Sequence, residues 1–279
     1  AWDPNSGEEP AIVPFGSGIP ARTGSLLDFL QLNDFEGLEA LFREKGADIA
    51  AVLLEPIMGN CGSIAATQAW MERLRETCDK HGTMLIIDEV KCGFRVAKGG
   101  AQELYGVHAD LTTYAKAMGN GYPVACFGGR ADVMDVIGAG GGVVHGGTYT
   151  ANLVALSAAD ATLDVLANTD ALGTAARVGQ QIQEVLGRVF TDAGIVHRFT
   201  GPDAMFGIHF GDAVPSNYRD WKRTGFPLYE AWAWKLIEKG IMLEPDSREP
   251  WFLCEAHQDV DLQWLEQVCR QAMVEAQAG

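Results

Sequence analysis

The chain has 279 residues, 47% hydrophobic and 21% charged, a globular composition that excludes a disordered or fibrous protein. Its 21 basic and 37 acidic residues leave a formal net charge of −16, so nucleic acid and anionic membrane are not expected as partners. Six scattered cysteines, with no C-x-x-C and no Cys/His cluster of zinc spacing, point to reduced thiols in a cytoplasm and to no metal.

In chain order, residues 1–25 are rich in Gly, Pro and Ser and read as irregular. The first residue is Ala1 rather than Met, so a processed start or a longer parent protein is expected. Apolar Phe35, Leu38, Leu41 and Phe42 predict a helix over 34–46. The apolar run Ile49 to Leu54, stopped by Glu55-Pro56, predicts a buried strand and is far too short to span a bilayer. Thr67 as N-cap and Gly82 past the end bracket a helix over 67–81, and residues 83–88 form a second buried strand. Further strands are expected near 111–114 and 123–128, and long helices over 150–168 and 171–190. The tail reads as helix 227–239, strands near 241–243 and 251–255, and helix 260–277, with Trp264, Leu265, Val268, Cys269, Ala272 and Ala276 on one face after an Asp259 or Asp261 cap. Continuous apolar strands separated by helices indicate an α/β fold whose sheet is mainly parallel and covered on both faces.

Two features carry chemistry. Met84-Leu-Ile-Ile-Asp88-Glu89 puts two carboxylates at the C-terminal end of a buried strand, the end that faces the ligand crevice in open α/β sheets. Asp88 reads three ways: a strand-end cap, the metal carboxylate of a P-loop NTPase, or the partner of a pyridoxal ring nitrogen. The second needs G-x-x-x-x-G-K-[ST], and no Gly-Lys-Ser or Gly-Lys-Thr occurs. The third needs a lysine, and Lys116 supplies one in a nearly uncharged stretch before the Gly-rich turn Gly119-Asn120-Gly121. Such a setting lowers a lysine pKa and favours the neutral amine a Schiff base requires.

The blocks Val52-Leu-Leu-Glu-Pro-Ile-Met-Gly-Asn-Cys-Gly62, Leu85-Ile-Ile-Asp-Glu-Val90, Gly93-Phe-Arg-Val-Ala-Lys-Gly-Gly-Ala-Gln102, Tyr105-Gly-Val-His-Ala-Asp-Leu-Thr-Thr113, Lys116 and Gly146-Gly-Thr-Tyr-Thr-Ala-Asn152 together resemble the class III pyridoxal-phosphate aminotransferases of fold type I. Within that family the chain is similar to glutamate-1-semialdehyde aminomutase and its transaminase relatives. The resemblance implies part of the large domain over 1–170, and a connecting helix with a small C-terminal α/β domain over 171–279. It implies that Lys116 carries pyridoxal 5'-phosphate and moves the proton on the substrate carbon. Asp88 is implied to pair with the ring nitrogen, Val90 to pack on a ring face, Asn60 to lie near the phenolic oxygen, and Gly147 and Thr148 to reach the cofactor phosphate of a partner subunit. A homodimer with shared sites follows. The implied activity is transfer of an amino group to or from a small amino acid or amine; intramolecular transfer, as in the aminomutase, and a truncated non-catalytic homologue are the alternatives.

Three departures stand out: Gly119-Asn120-Gly121 for the family's Gly-Gly-Gly, Asn152-Leu153 for Asn-Pro, and Lys91-Cys92 for Met-Thr or Gln-Thr. The family's N-terminal half, with its phosphate loop and ring-stacking aromatic, has no counterpart in residues 1–50, so a piece of a longer enzyme or a natural truncation is expected. Two further residues are candidates for substrate binding: Arg248, able to grip a carboxylate with two parallel bonds, and His145, beside the Gly146-Gly147-Thr148 turn. Trp232 and Trp234, with Leu228 and Leu236, are expected to form a helix face rather than a cofactor box.

Overall fold

A one-turn helix, α1 (Ala21–Gly24), leads into α2 (Phe35–Lys45), where Asp34 caps the helix by accepting the Gly37 N–H and Leu38 and Phe42 are buried one turn apart. The structure is a computed structural model that describes residues 12, 14, 16–138 and 140–278, so most of the irregular segment expected over 1–25 lies outside the described residues.

Strand β1 (Ala51–Leu54) is followed by α3 (Gln68–His81), capped by Thr67 and closed by Gly82 in the left-handed region at φ 69°. Strand β2 (Met84–Asp88) pairs in parallel with β1, Ala51 opposite Met84. After α4 (Gly100–Tyr105), strand β3 (Leu111–Tyr114) pairs in parallel with β2, Asp88 opposite Thr113. Strand β4 (Cys126–Gly129) returns antiparallel, completing a four-stranded sheet of order β1-β2-β3-β4. Asp110 anchors the start of β3: its carboxylate accepts from the Leu85 N–H, Arg75 and Arg130.

Two expectations about this sheet need correction. Among the described residues it is not covered on both faces, and β1 is an edge rather than a buried strand, with Leu53 65% exposed. Apolar character alone does not bury a strand; burial needs a neighbour. The covered face packs Leu85 and Ile87 of β2 with Leu38, Phe42, Trp70, Met71 and Leu74 of α2 and α3.

Beyond the one-turn helix α5 (Ala131–Met134), helix α6 (Leu153–Asn168) begins after its cap Asn152, three residues later than expected. Helix α7 (Ala171–Asp192) leads into a second, three-stranded sheet, two strands of which are not expected from the sequence. Strand β5 (His197–Thr200) pairs antiparallel with β6 (Met205–Phe210), and β7 (Trp251–Phe252) pairs antiparallel on its other edge. Helices α8 (Tyr218–Trp221), α9 (Phe226–Glu238) and α10 (Leu262–Ala278) complete the chain, with Asp261 capping α10. No strand forms at 241–243. Gly240 turns the chain at φ 91°, Ile241 donates back to Leu236, and Met242 is left 97% exposed with no strand to pair with.

The core of this unit is built on Trp232, fully buried, stacked on Trp251 with the rings 7° from parallel and set edge-on to Phe190. Trp232→Ala would cost about 3–5 kcal/mol by loss of that packing. Trp234, on the same helix, is 56% exposed, so only part of the expected helix face is core.

Candidate active site

The parallel pairing of β2 with β3 brings Asp88 and Lys116 to the same end of the sheet: Asp88 is opposite Thr113, and Lys116 follows three residues later. Asp88 is half-buried. Its Oδ1 accepts from the Val90 N–H at 2.9 Å and from Thr113 Oγ1 at 3.2 Å, while Oδ2 has no hydrogen bond among the described residues. The adjacent carboxylate has a different task. Glu89 is fully buried, and its two oxygens accept from the Ala101 and Gln102 N–H groups at the start of α4. The pair of carboxylates written side by side therefore separates into one half-free acid and one structural cap.

Lys116 opens a 3-10 turn, Lys116–Gly119, with φ 47°, a conformation that costs a non-glycine residue of order 1–3 kcal/mol. Asn120 continues it at φ 44°, a left-handed conformation that asparagine tolerates better than most residues. The Lys116 side chain is exposed and lines a cleft of about 1030 Å³ with Phe94, Arg95, Tyr122, Leu253 and Cys254. Partial burial holds its amine below the usual lysine range; the charges of Lys91 and Arg95 act the same way, while Glu249 and Glu55 oppose them. Asp88, Val90 and Asn60 do not line this cleft.

A buried cation beside these residues was not foreseen as part of the site. Lys91 donates to Gly59 O at 2.7 Å, to Asn60 Oδ1 at 2.8 Å and to Glu249 Oε2 at 2.6 Å. Asn60, itself exposed, is thereby held by its carbonyl oxygen. Glu55 accepts the Gly59 N–H, and burial pushes its carboxyl above the usual range; Asp88 adds to that, and Lys91 and Lys116 oppose it. The sequence signal is the departure at Lys91, a cation in the place where the resemblance leads one to expect Met or Gln.

Other predicted residues lie apart. Gly147 and Thr148 sit in an exposed turn before α6, and His145 in the same stretch sets its ring edge-on to Phe127. Arg248 does not line the Lys116 cleft; it is paired with both oxygens of Asp246, which keep its guanidinium firmly charged, and lies over the Trp221 ring.

Residues 22–263 match the family described as aminotransferase class-III. The chain belongs to the class-III aminotransferases. It is 36% identical over 244 residues to a glutamate-1-semialdehyde 2,1-aminomutase of Neisseria meningitidis, covering 88% of this chain and 57% of that protein. It is 35% identical over 264 residues to glutamate-1-semialdehyde 2,1-aminomutase 2 of Brevibacillus brevis, covering 95% and 62%. Among solved class-III structures it is similar to an omega-transaminase from Sphaerobacter thermophilus, with a TM-score of 0.87, 29% identity, and coverage of 98% of this chain and 63% of the other. It is also similar to the FumI protein of Sphingopyxis sp. MTA144, described in its pyridoxal-phosphate internal aldimine form, with a TM-score of 0.83 at 26% identity and coverage of 95% and 61%. The chain thus spans about three-fifths of the length of these class-III relatives.

Proposed function

We propose that this protein transfers an amino group between a small amino donor and a small acceptor with pyridoxal 5'-phosphate. The observation that carries the reading is the juxtaposition at one sheet end of Asp88, with Oδ2 unengaged, and Lys116, with a depressed amine and no hydrogen bond or ion pair among the described residues. This donor set fits the cofactor: a fixed carboxylate for a ring N–H and a lysine biased to its neutral form.

When bound, pyridoxal phosphate supplies an electron sink for the pair left at the substrate carbon on proton loss. Asp88, aimed by its bonds to Val90 N–H and Thr113, would hold the ring nitrogen protonated. Lys116 would anchor the cofactor and, as a free amine, would take and return the proton at the substrate carbon. Val90 would be the residue packed on the ring, and Asn60, held by Lys91, the one nearest its phenolic oxygen. Gly147 and Thr148, with His145 beside them, would be the donors to the phosphate in a partner subunit. Arg248 reaches a substrate carboxylate only by exchanging Asp246 for it.

A homodimer with shared sites is supported by the apolar surface around that turn: Val144 is 98%, Tyr149 82%, Leu153 79% and Val154 64% exposed. We read residues 1–170 as part of the large domain and 171–279 as the connecting helix and small domain, and the six free cysteines support a cytoplasmic setting. The test is an amine donor plus a keto-acid acceptor on the cofactor-loaded protein. New amino acid and donor carbonyl product should form in equal amounts, and not with Lys116→Ala. Rearranged product with no acceptor consumed would show intramolecular transfer instead.

A further inference from the structure

Asn120-Gly121 is the one Asn-Gly pair in the sequence. It occupies the centre of a tight turn closed by the Tyr122 N–H donating to Gly119 O at 3.0 Å, with Asn120 at φ 44°, ψ 49° and Gly121 at φ 99°. Positive φ at both central residues is the geometry that Asn-Gly favours, so local conformation accounts for the pair. The same pair is chemically reactive. The backbone nitrogen after an asparagine can attack the side-chain carbonyl carbon, and a following glycine has no Cβ to hinder that approach.

The surroundings of Asn120 leave that reaction open. Neither its side-chain amide nor the Gly121 N–H makes a hydrogen bond among the described residues. Both residues are exposed and line a cleft open to water. The other described asparagines are held. Asn33 donates to Ala65 O and Ser216 O, Asn60 accepts from Lys91, Asn152 from the Ala155 N–H and Asn217 from the Arg219 and Asp220 N–H groups, and Asn168 donates to Asp164 O. None of them precedes glycine. At ψ 49° the Gly121 nitrogen is turned away from the Asn120 side chain, so ring closure requires rotation about that bond. The rotation breaks one exposed turn bond, Tyr122 N–H to Gly119 O, a local opening that costs far less than unfolding.

We propose that Asn120 is a site of spontaneous covalent modification, converted through a succinimide to aspartate and isoaspartate. The Gly121 nitrogen forms a bond to Asn120 Cγ, the Cγ–Nδ2 bond breaks, and the amide group leaves as ammonia with the proton that the nitrogen gave up. Water then opens the ring. Addition at the side-chain carbonyl gives aspartate, and addition at the main-chain carbonyl gives isoaspartate, which carries an extra methylene in the backbone. Nothing is oxidised or reduced. Either product puts a new carboxylate in the turn that holds Lys116 at φ 47°. A carboxylate there favours the charged lysine over the neutral amine. The modification itself stands apart from the amino-transfer reading. Its effect on Lys116 rests on that reading: cofactor capture slows as the protein ages, and Asn120→Asp reproduces the electrostatic part.

The full chain is incubated in mildly alkaline buffer beside a free peptide of residues 117–124, and both are mapped by mass spectrometry over days. Asn120 in the protein should react within about tenfold of the peptide's rate and at least about tenfold faster than any other described asparagine. Ammonia should appear in equivalence with the modified chain, isoaspartyl methyltransferase should label residue 120, and Asn120→Gly should give neither signal. An intact Asn120 after the peptide has reacted, or modification spread evenly over the asparagines, would overturn the proposal. Modification at residue 120 with unaltered pyridoxal-phosphate capture, in the aged protein and in Asn120→Asp alike, would uphold the site and contradict its effect on Lys116. If the unaged protein takes up no cofactor, the amino-transfer reading fails by itself, and the mapping still decides the site.

Discussion

Lys91 Nζ stands 2.6 Å from Glu249 Oε2, and this contact, across 158 residues of sequence, ties the turn after β2 to the segment before β7. Lys91 is buried and Glu249 is 28% exposed, so removing one partner strands a poorly solvated charge. Lys91→Met should therefore destabilise by about 3 kcal/mol, and Lys91→Met with Glu249→Leu should recover part of it, as read by denaturant unfolding.

Burial is the larger influence on the Lys116 amine, and the same pair adds two contributions of opposite sign. Lys91 depresses the Lys116 amine and Glu249 raises it. Lys91→Met should move the pH midpoint of cofactor capture upward, and Glu249→Gln should move it downward. Spectrophotometric titration of the lysine-linked cofactor checks both, and shifts of equal sign would contradict the electrostatic account.

Asp88→Ala should lower kcat and kcat/KM together by about 10²-fold or more while cofactor capture is impaired far less, because its charge is used at the ring nitrogen as carbanion character develops. Thr113→Val, which removes only the bond to Asp88 Oδ1, should cost much less. Steady-state kinetics on cofactor-saturated variants gives the comparison. Normal turnover of Asp88→Ala would reduce Asp88 to a strand-end cap.

The part of the site legible in sequence is the part built from adjacent strands. A continuous apolar run ending in Asp88 and a short strand ending near Lys116 are local signals, and parallel pairing follows from the intervening helix. Lys91 with Glu249 and Arg95 over Phe252 were not legible, since each joins segments more than 150 residues apart. Strands β5 and β6 escaped for a different reason. Every residue of β6 is buried, so no alternation marks it, and Gly207 sits where a Cβ would strike Gly62 O. The opposite error at 241–243 came from an apolar triplet with nothing to pair against.

Acid should expose a buried histidine. His209 is held neutral by burial, its pKa lowered from 6.5 to about 4, with Nε2 at 2.8 Å from Thr200 Oγ1 and Nδ1 unpartnered. The unfolded chain takes up the proton first, so stability is intact above pH 6.5 and is lost as pH falls toward 4. The loss attributable to this residue is roughly 3 kcal/mol. The difference in unfolding free energy between wild type and His209→Gln, measured across that window, should narrow by that amount as pH falls.

If the turn at Gly147-Thr148 serves a partner's cofactor, two defective chains should complement each other. Lys116→Ala lacks the anchoring amine, and a bulky replacement at Thr148 blocks the neighbour's phosphate. Mixed dimers contain one site with both good residues, and an equimolar co-refolded mixture is about half mixed dimers, so it should regain up to about a quarter of the wild-type activity. Absence of any activity after demonstrated subunit exchange would place Thr148 in its own chain's site.

The central claim is that the amine of Lys116 holds the cofactor, and borohydride reduction of the pyridoxal-phosphate-loaded protein followed by peptide mapping tests it most directly. The account predicts a single reduced pyridoxyl adduct on Lys116, absent from Lys116→Ala. An adduct on the buried Lys91, on Lys98, or spread over surface lysines would contradict it.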